Sequence, residues 1–197
     1  MTEDHFIFPL GSVLFPGGTL PLRIFEQRYI EMTKVCIRDN RPFGVCLIKE
    51  GNEVGVPAVP ETVGCLATIE HWDMPQLGLF ELRARGGERF RLLESRVAAN
   101  GLISASIERI PADTPAAHVD SACREVLKLI INRVGAAHFP QPVALDDASW
   151  VGCRLAEVLP LDSRVKQTLL EVADAGARLD QLREILVKEG LIVKDRD

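Results

Sequence analysis

Pro111-Ala112-Asp113-Thr114-Pro115 divides the 197-residue chain into two stretches with different periodicities, and that change decides the fold class. Upstream, short segments alternate apolar and polar residues between Gly and Pro punctuation, at 5–10, 12–15, 43–49, 62–72, 79–84, 89–93 and 102–110. Period-2 alternation places one face of each segment against a core, so these read as strands. One helix interrupts them, with Phe25, Tyr29, Met32 and Cys36 on a common face and a stop before Asp39, Asn40 and Pro42. Downstream the period is helical. Thr114 caps a first helix with Pro115 in its first turn, and Val119, Ala122, Val126, Ile130 and Val134 form its apolar stripe as far as Gly135. Asp146 or Asp147 opens a second helix carrying Trp150, Cys153, Ala156 and Leu159, which Pro160 stops. Asp162 opens a third with Val165, Leu169 and Val172, and Asp174 a fourth with Leu179, Leu182, Ile185 and Leu186 inward and Gly190 as its stop. The expected class is α+β: a strand-rich domain over 1–112 with one inserted helix, then an all-helical domain over 113–197.

Composition excludes several classes. With 47% hydrophobic and 26% charged residues the chain can bury a core without disulfides or metals. No apolar run approaches the ~20 residues a membrane span needs, and the opening M-T-E-D-H is acidic where a secretory leader is basic. The expected compartment is the cytoplasm. Cys36, Cys46, Cys65, Cys123 and Cys153 are widely spaced with no C-x-x-C, and read as small buried hydrophobes rather than zinc ligands. Walker, G-x-G-x-x-G, H-E-x-x-H and G-x-S-x-G spacings are all absent, and His5, His71, His118 and His138 stand singly. The expectation is a non-enzyme without cofactor, metal or catalytic residue.

Phe80-Glu-Leu-Arg-Ala-Arg-Gly86-Gly87-Glu-Arg-Phe-Arg-Leu92 is the densest signal. A two-residue turn at Gly86-Gly87 mixes polar and apolar faces. A three-residue loop over 86–88 pairs Ala84 with Phe90 and Leu82 with Leu92, making one face wholly apolar, and this bulged hairpin is the one expected. It sets Arg83 opposite Arg91 and Arg85 opposite Arg89 on the outer face. Such a face is either solvated and neutralised by Glu81, Glu88, Glu94 and distant carboxylates, or a contact surface for anions or acidic peptides.

The segment F-P-L-G-S-V-L-F-P-G-G-T-L-P-L-R-I-F-E-Q-R-Y-I-E-M from Phe8 to Met32 resembles the amino-terminal substrate-recognition domain of the Lon protease family. The likeness continues in order through F-G-V-C-L-I at 43–48, V-G-C-L-A-T-I at 63–69, the Arg-rich segment, S-W-V-G-C-R-L-A-E-V-L-P-L at 149–161 and K-Q-T-L-L-E at 166–171. The resemblance implies a PUA-like barrel followed by a helical bundle, and a region that binds unfolded or tagged polypeptides and helps a hexamer assemble. The family's ATPase and Ser-Lys protease modules would have to follow residue 197. Pro9, Phe15, Pro16, Gly17, Pro21 and Leu22 fit the family's opening pattern. Proline cannot donate to a ladder and Gly17-Gly18 permits positive φ, so this stretch reads as an edge strand running into a turn. Glu26, Arg28 and Tyr29 match its F-E-x-R-Y signature, as a pair anchoring the helix to the sheet or as the polar lip of a groove.

The function expected is recognition of exposed hydrophobic polypeptide segments, as an adaptor or weak holdase. Phe15, Met32 and Met74 are candidates to line an apolar groove between the two halves, although residues of these types are more often core. Arg28, Arg83, Arg85, Arg89 and Arg91 complete the candidate partner-binding set. RNA binding, which many PUA-like barrels perform, is one alternative. Acidity argues against it, with 12 basic against 14 acidic residues up to Ile110 and 11 against 14 after it. Docking on a Lon-type hexamer as a regulator is another.

Overall fold

The computed structural model describes residues 4–116 and 118–193; Met1 to Glu3 of the acidic opening and the tail from Lys194, both part of the expected domain spans, lie outside the described residues. The chain divides into two compact units, the first ending at Pro111 and the second beginning at Ala112. Among the described residues the fold is mixed α+β, with a six-stranded sheet and five α-helices.

The first unit holds β1 (Asp4–Leu10), β2 (Thr19–Ile24), α1 (Gln27–Asp39), β3 (Phe43–Glu50), β4 (Val59–Gln76), β5 (Leu79–Val97) and β6 (Ile103–Arg109). The strand order is β2-β5-β4-β3-β1-β6, and β5 also pairs with β6, so the pairings from β5 through β4, β3, β1 and β6 return to β5. Of these, β1 and β3 are parallel, with α1 in the connection between them, and the other pairs are antiparallel. Every strand of that circuit contributes to one apolar cluster: Ile7, Cys46, Leu66, Phe90, Ile103 and Ala105, flanked by Leu92 and Ile107. Gly44 and Gly64 leave room for it, since a Cβ on either would lie 2.6 or 2.7 Å from the Phe90 ring. A second cluster packs the buried face of α1 (Tyr29, Ile30, Met32, Cys36) on Phe8, Ile24, Phe43, Val45, Phe80, Leu82 and Ala84. Phe8 and Tyr29 meet edge to face at 4.2 Å between ring centroids.

Three expectations are corrected. Residues 12–15 are loop, and the edge strand is β2, which follows the turn at Gly17 (φ 75°) instead of preceding it. Phe25 lies before α1 and is 59% exposed. There is no hairpin at Gly86-Gly87, because 79–84 and 89–93 belong to one continuous strand. The hairpin turn is at Leu77-Gly78, with Gln76 opposite Leu79 and Gly78 at φ 84°. Gly86 is glycine because the strand crosses the 15–18 turn backbone to backbone. Gly17 N–H donates to Gly86 O and Gly86 N–H to Gly18 O, both at 2.8 Å, and a Cβ on Gly86 would sit 2.2 Å from Phe15 O. Beside it Ala67 pairs with Gly86 and Cys65 with Arg89, so β5 carries one residue more than β4. That bulge reverses the alternation. Phe80, Leu82 and Ala84 therefore enter the α1 cluster, whereas Phe90 and Leu92 join the other.

The second unit holds α2 (Ser121–Val134), a 3-10 turn at Ala136–His138, α3 (Ala148–Val158), α4 (Ser163–Glu171) and α5 (Ala175–Lys188). Asp147, Asp162 and Asp174 cap α3, α4 and α5 through their carboxylates. The first cap differs from expectation. Asp120 accepts from the Cys123 amide and opens α2, while Thr114 forms a bridge with Asp174. The buried seam of α2 is Cys123, Leu127 and Ile131, one position round from the expected stripe, leaving Val134 52% exposed. Arg178, only 1% exposed, is the polar centre of this unit: it forks onto Asp113, and its Nε donates to Leu169 O at 2.9 Å. Ser149 Oγ donates to the same carboxylate at 2.5 Å.

Candidate functional site

Ala67 is the last β4 residue paired with β3; residues 68–76 pair only with β5, whose other side carries β2. The result is a three-stranded arm, β2-β5-β4. Register decides its faces: Leu22 and Trp72 both lie opposite Leu82, Leu20 and Ile69 opposite Ala84, and Ile24 opposite Phe80. Near α1 this apolar face is core. Toward the tip it is open, with Trp72 48%, Met74 43% and Leu77 94% exposed. The Trp72 ring leans on Phe80 at 6.0 Å between centroids, so it is held by the core while presenting its outer side to solvent. Large apolar side chains exposed close together in sequence on a sheet that also packs on the core are a feature of binding surfaces. The opposite face carries Arg23 beside Glu81 at 3.5 Å, Arg85 beside Glu70, and Arg83 across from His71.

Of the candidate residues, Met74 belongs to this patch. Phe15 and Met32 are wholly buried and present nothing to a partner, which corrects their assignment to a groove. The four arginines of β5 do not gather, because they succeed one another along a strand instead of facing across a hairpin. Arg83 and Arg91 are exposed, and Arg91 lies opposite Val63 and Glu108. Arg85 also donates to Gly17 O at 3.1 Å, and Arg89 is buried, donating to Pro111 O at 3.4 Å. Glu88 pairs with Arg109 rather than with any of the four. Arg28 is 5% exposed, 3.0 Å from Glu26, donates to Gly101 O at 3.3 Å and lies 4.6 Å over the Tyr29 ring. Burial raises the Tyr29 hydroxyl pKa, and the neighbouring guanidinium partly opposes that.

Trp72 and Leu77 were not singled out as site residues from the sequence. Their signal is Trp72, Met74 and Leu77 clustered around Gly78, large apolar side chains next to a turn. Among the described residues no group of three or more His, Cys, Asp or Glu is placed to hold a metal ion, and no helix is long and apolar enough to cross a membrane.

The profile of the family described as ATP-dependent protease La (LON) substrate-binding domain matches residues 6–188. A crystal structure of a Lon N-terminal domain protein from Xanthomonas campestris aligns with a TM-score of 0.75 at 37% identity, over 92% of this chain and 98% of that one. The N-terminal domain of a Mycobacterium avium complex Lon protease shares the fold, with a TM-score of 0.70 at 14% identity. Lon protease 2 of Myxococcus xanthus is 27% identical over 199 residues, which is 95% of this chain and 24% of that protein. The Lon protease of Koribacter versatilis is 29% identical over 90% of this chain and 23% of its own. The chain thus spans about a quarter of the length of these relatives.

Proposed function

The chain belongs to the LON substrate-binding domain family, and on that premise we propose that it is a non-catalytic recognition module whose β2-β5-β4 arm holds exposed apolar segments of other polypeptides. The observation that carries this reading is the open patch of Trp72, Met74 and Leu77 on a sheet fixed to the core. An apolar surface of this kind acts on many clients without reading one sequence, which suits an adaptor or weak holdase. The five free, buried cysteines suit a reducing cytoplasm. The sheet circuit with α1 inserted reads as a PUA-like barrel and the second unit as a helical bundle; the pairings that return to β5 and the cluster drawn from all five strands support the barrel.

The RNA reading loses support, because the basic strip it needs is dispersed along β5 and Arg89 is buried. A Lon-type protease remains a proposed partner, which co-purification with a tagged copy would identify. The decisive experiment compares the parent with Met74→Ser/Leu77→Ser and with Trp72→Ala in suppressing aggregation of a denatured client and in binding a peptide array. Anchor residues of such patches are worth about 1–2 kcal/mol each, so affinity is expected to fall about tenfold or more at an unchanged melting temperature for the Ser pair. Parent-like holding by these variants, or no holding by the parent, would overturn the proposal.

A further inference from the structure

The arm offers main-chain groups as well as an apolar face. On the side of β4 away from β5, residues 68–73 have no backbone partner among the described residues, since β3 pairs no further than Ala67. The next amide, that of Met74, is taken up by the Asp73 carboxylate at 2.7 Å. An edge of this length can accept another strand. The other edge of the arm cannot do so as well, because Pro21 interrupts β2 at its middle and proline donates nothing.

We infer that polypeptides dock on this arm by strand addition along the 68–73 edge of β4, and that the preferred segment alternates apolar with basic residues. The inference rests on the recognition role proposed above and adds how the segment is read. A strand laid beside β4 must alternate with it. Its residues on the Trp72 side meet the apolar patch, while those on the other side run past His71, Asp73 and the Glu70 carboxylate. Over residues 68–76 β4 carries those two carboxylates and no Lys or Arg. Asp73 stands directly opposite Glu81 on β5, and Arg23 reaches Glu81 only from the far strand, at 3.5 Å. Glu70 is paired with Arg85, so the charge this edge leaves open is that of Asp73, and the charge complementary to it is positive. The same carboxylates disfavour a second copy of the chain, because two β4 edges brought together would set Glu70 and Asp73 against their equals.

Fluorescence anisotropy on the full chain with short labelled peptides tests this. Three designs alternate Val or Leu with Lys, alternate them with Glu, or carry the Lys composition with its charges clustered at one end. Two further copies of the Lys design are N-methylated at every second residue, in the two possible registers. The Lys alternation is expected to bind about tenfold or more tighter than the Glu alternation, and Asp73→Lys to reverse that order. Methylation in the register whose amides face β4 is expected to cost about tenfold, and in the other register little. Equal affinity of both methylated peptides and the parent peptide, with binding still lost in Met74→Ser/Leu77→Ser, would overturn strand addition and leave apolar recognition standing. Binding indifferent to the Ser pair would overturn the arm as the site altogether. Self-association of the chain that peptide does not displace would assign the edge to a second copy and likewise overturn the inference.

Discussion

Arg178 shows how much a single side chain carries here. Its guanidinium, its partner Asp113 and the Ser149 hydroxyl form a buried network that joins the start of the second unit to α3 and to the α4–α5 turn. Arg178→Ala strands a buried carboxylate, so a loss of about 3–5 kcal/mol is expected in urea unfolding at pH 7, whereas the volume-matched pair Arg178→Met/Asp113→Leu should recover most of it. Buried cysteines give a second residue-level expectation. Burial pushes the Cys36 thiol up to about 11, and drives Cys46, Cys123 and Cys153 upward too. A thiol that keeps its proton in the folded state but loses it in the unfolded one favours unfolding as pH rises. The stability tied to Cys36 is thus complete below about pH 9 and is lost between about 9 and 11, at up to about 1.4 kcal/mol per pH unit. Urea midpoints at pH 8, 9 and 10 should fall, and fall less steeply in Cys36→Ala. Burial of these thiols was legible from their apolar neighbours. Burial of Arg89 and Arg178 was not, since an arginine is ordinarily a surface residue and partners as far along the chain as Pro111 and Asp113 make the interior tolerable.

At the scale of the element, the two glycines of β5 separate local signal from tertiary cause. Gly-Gly is a hairpin signal, yet the hairpin forms at Leu77-Gly78, and the pair instead lets β5 cross the 15–18 turn. The two positions are expected to differ sharply. Gly86→Ala drives a Cβ to 2.2 Å from Phe15 O and should cost about 3 kcal/mol, while Gly87→Ala meets nothing closer than 3.5 Å and should cost less than about 1 kcal/mol. Thermal melts of the two variants would read this directly. Helix caps behaved differently: Asp147, Asp162 and Asp174 act where the sequence places them, because a cap is satisfied by amides two or three residues away. The α2 stripe slipped by one position because its helix has apolar residues on more than one side, and only neighbouring helices choose between them.

For the whole molecule, the network at Asp113 bears on where the second unit begins. Thr114 N–H donates to Ala173 O at 3.2 Å and Thr114 O accepts from Ala175 N at 3.4 Å, so these linker residues belong to the helical unit's own bonding. A fragment from Ala112 onward is expected to unfold cooperatively, and one from Ala116 onward to be several kcal/mol less stable, of the order of a broken buried ion pair. Chemical denaturation followed by far-UV circular dichroism compares the two. The strand-rich half followed by helices, the caps at Asp147, Asp162 and Asp174, most of the strand segments and the family were readable from the chain alone. Each depends on residues within a few positions of one another, or on segments recurring in order. The tertiary structure alone decided that β5 is one bulged strand, that its arginines part company, that Phe15 and Met32 are interior, and that Trp72, Met74 and Leu77 are exposed at the tip of the arm. The reason is physical: exposure, register and the partner of a buried charge are set by residues tens of positions away, which a local pattern does not contain.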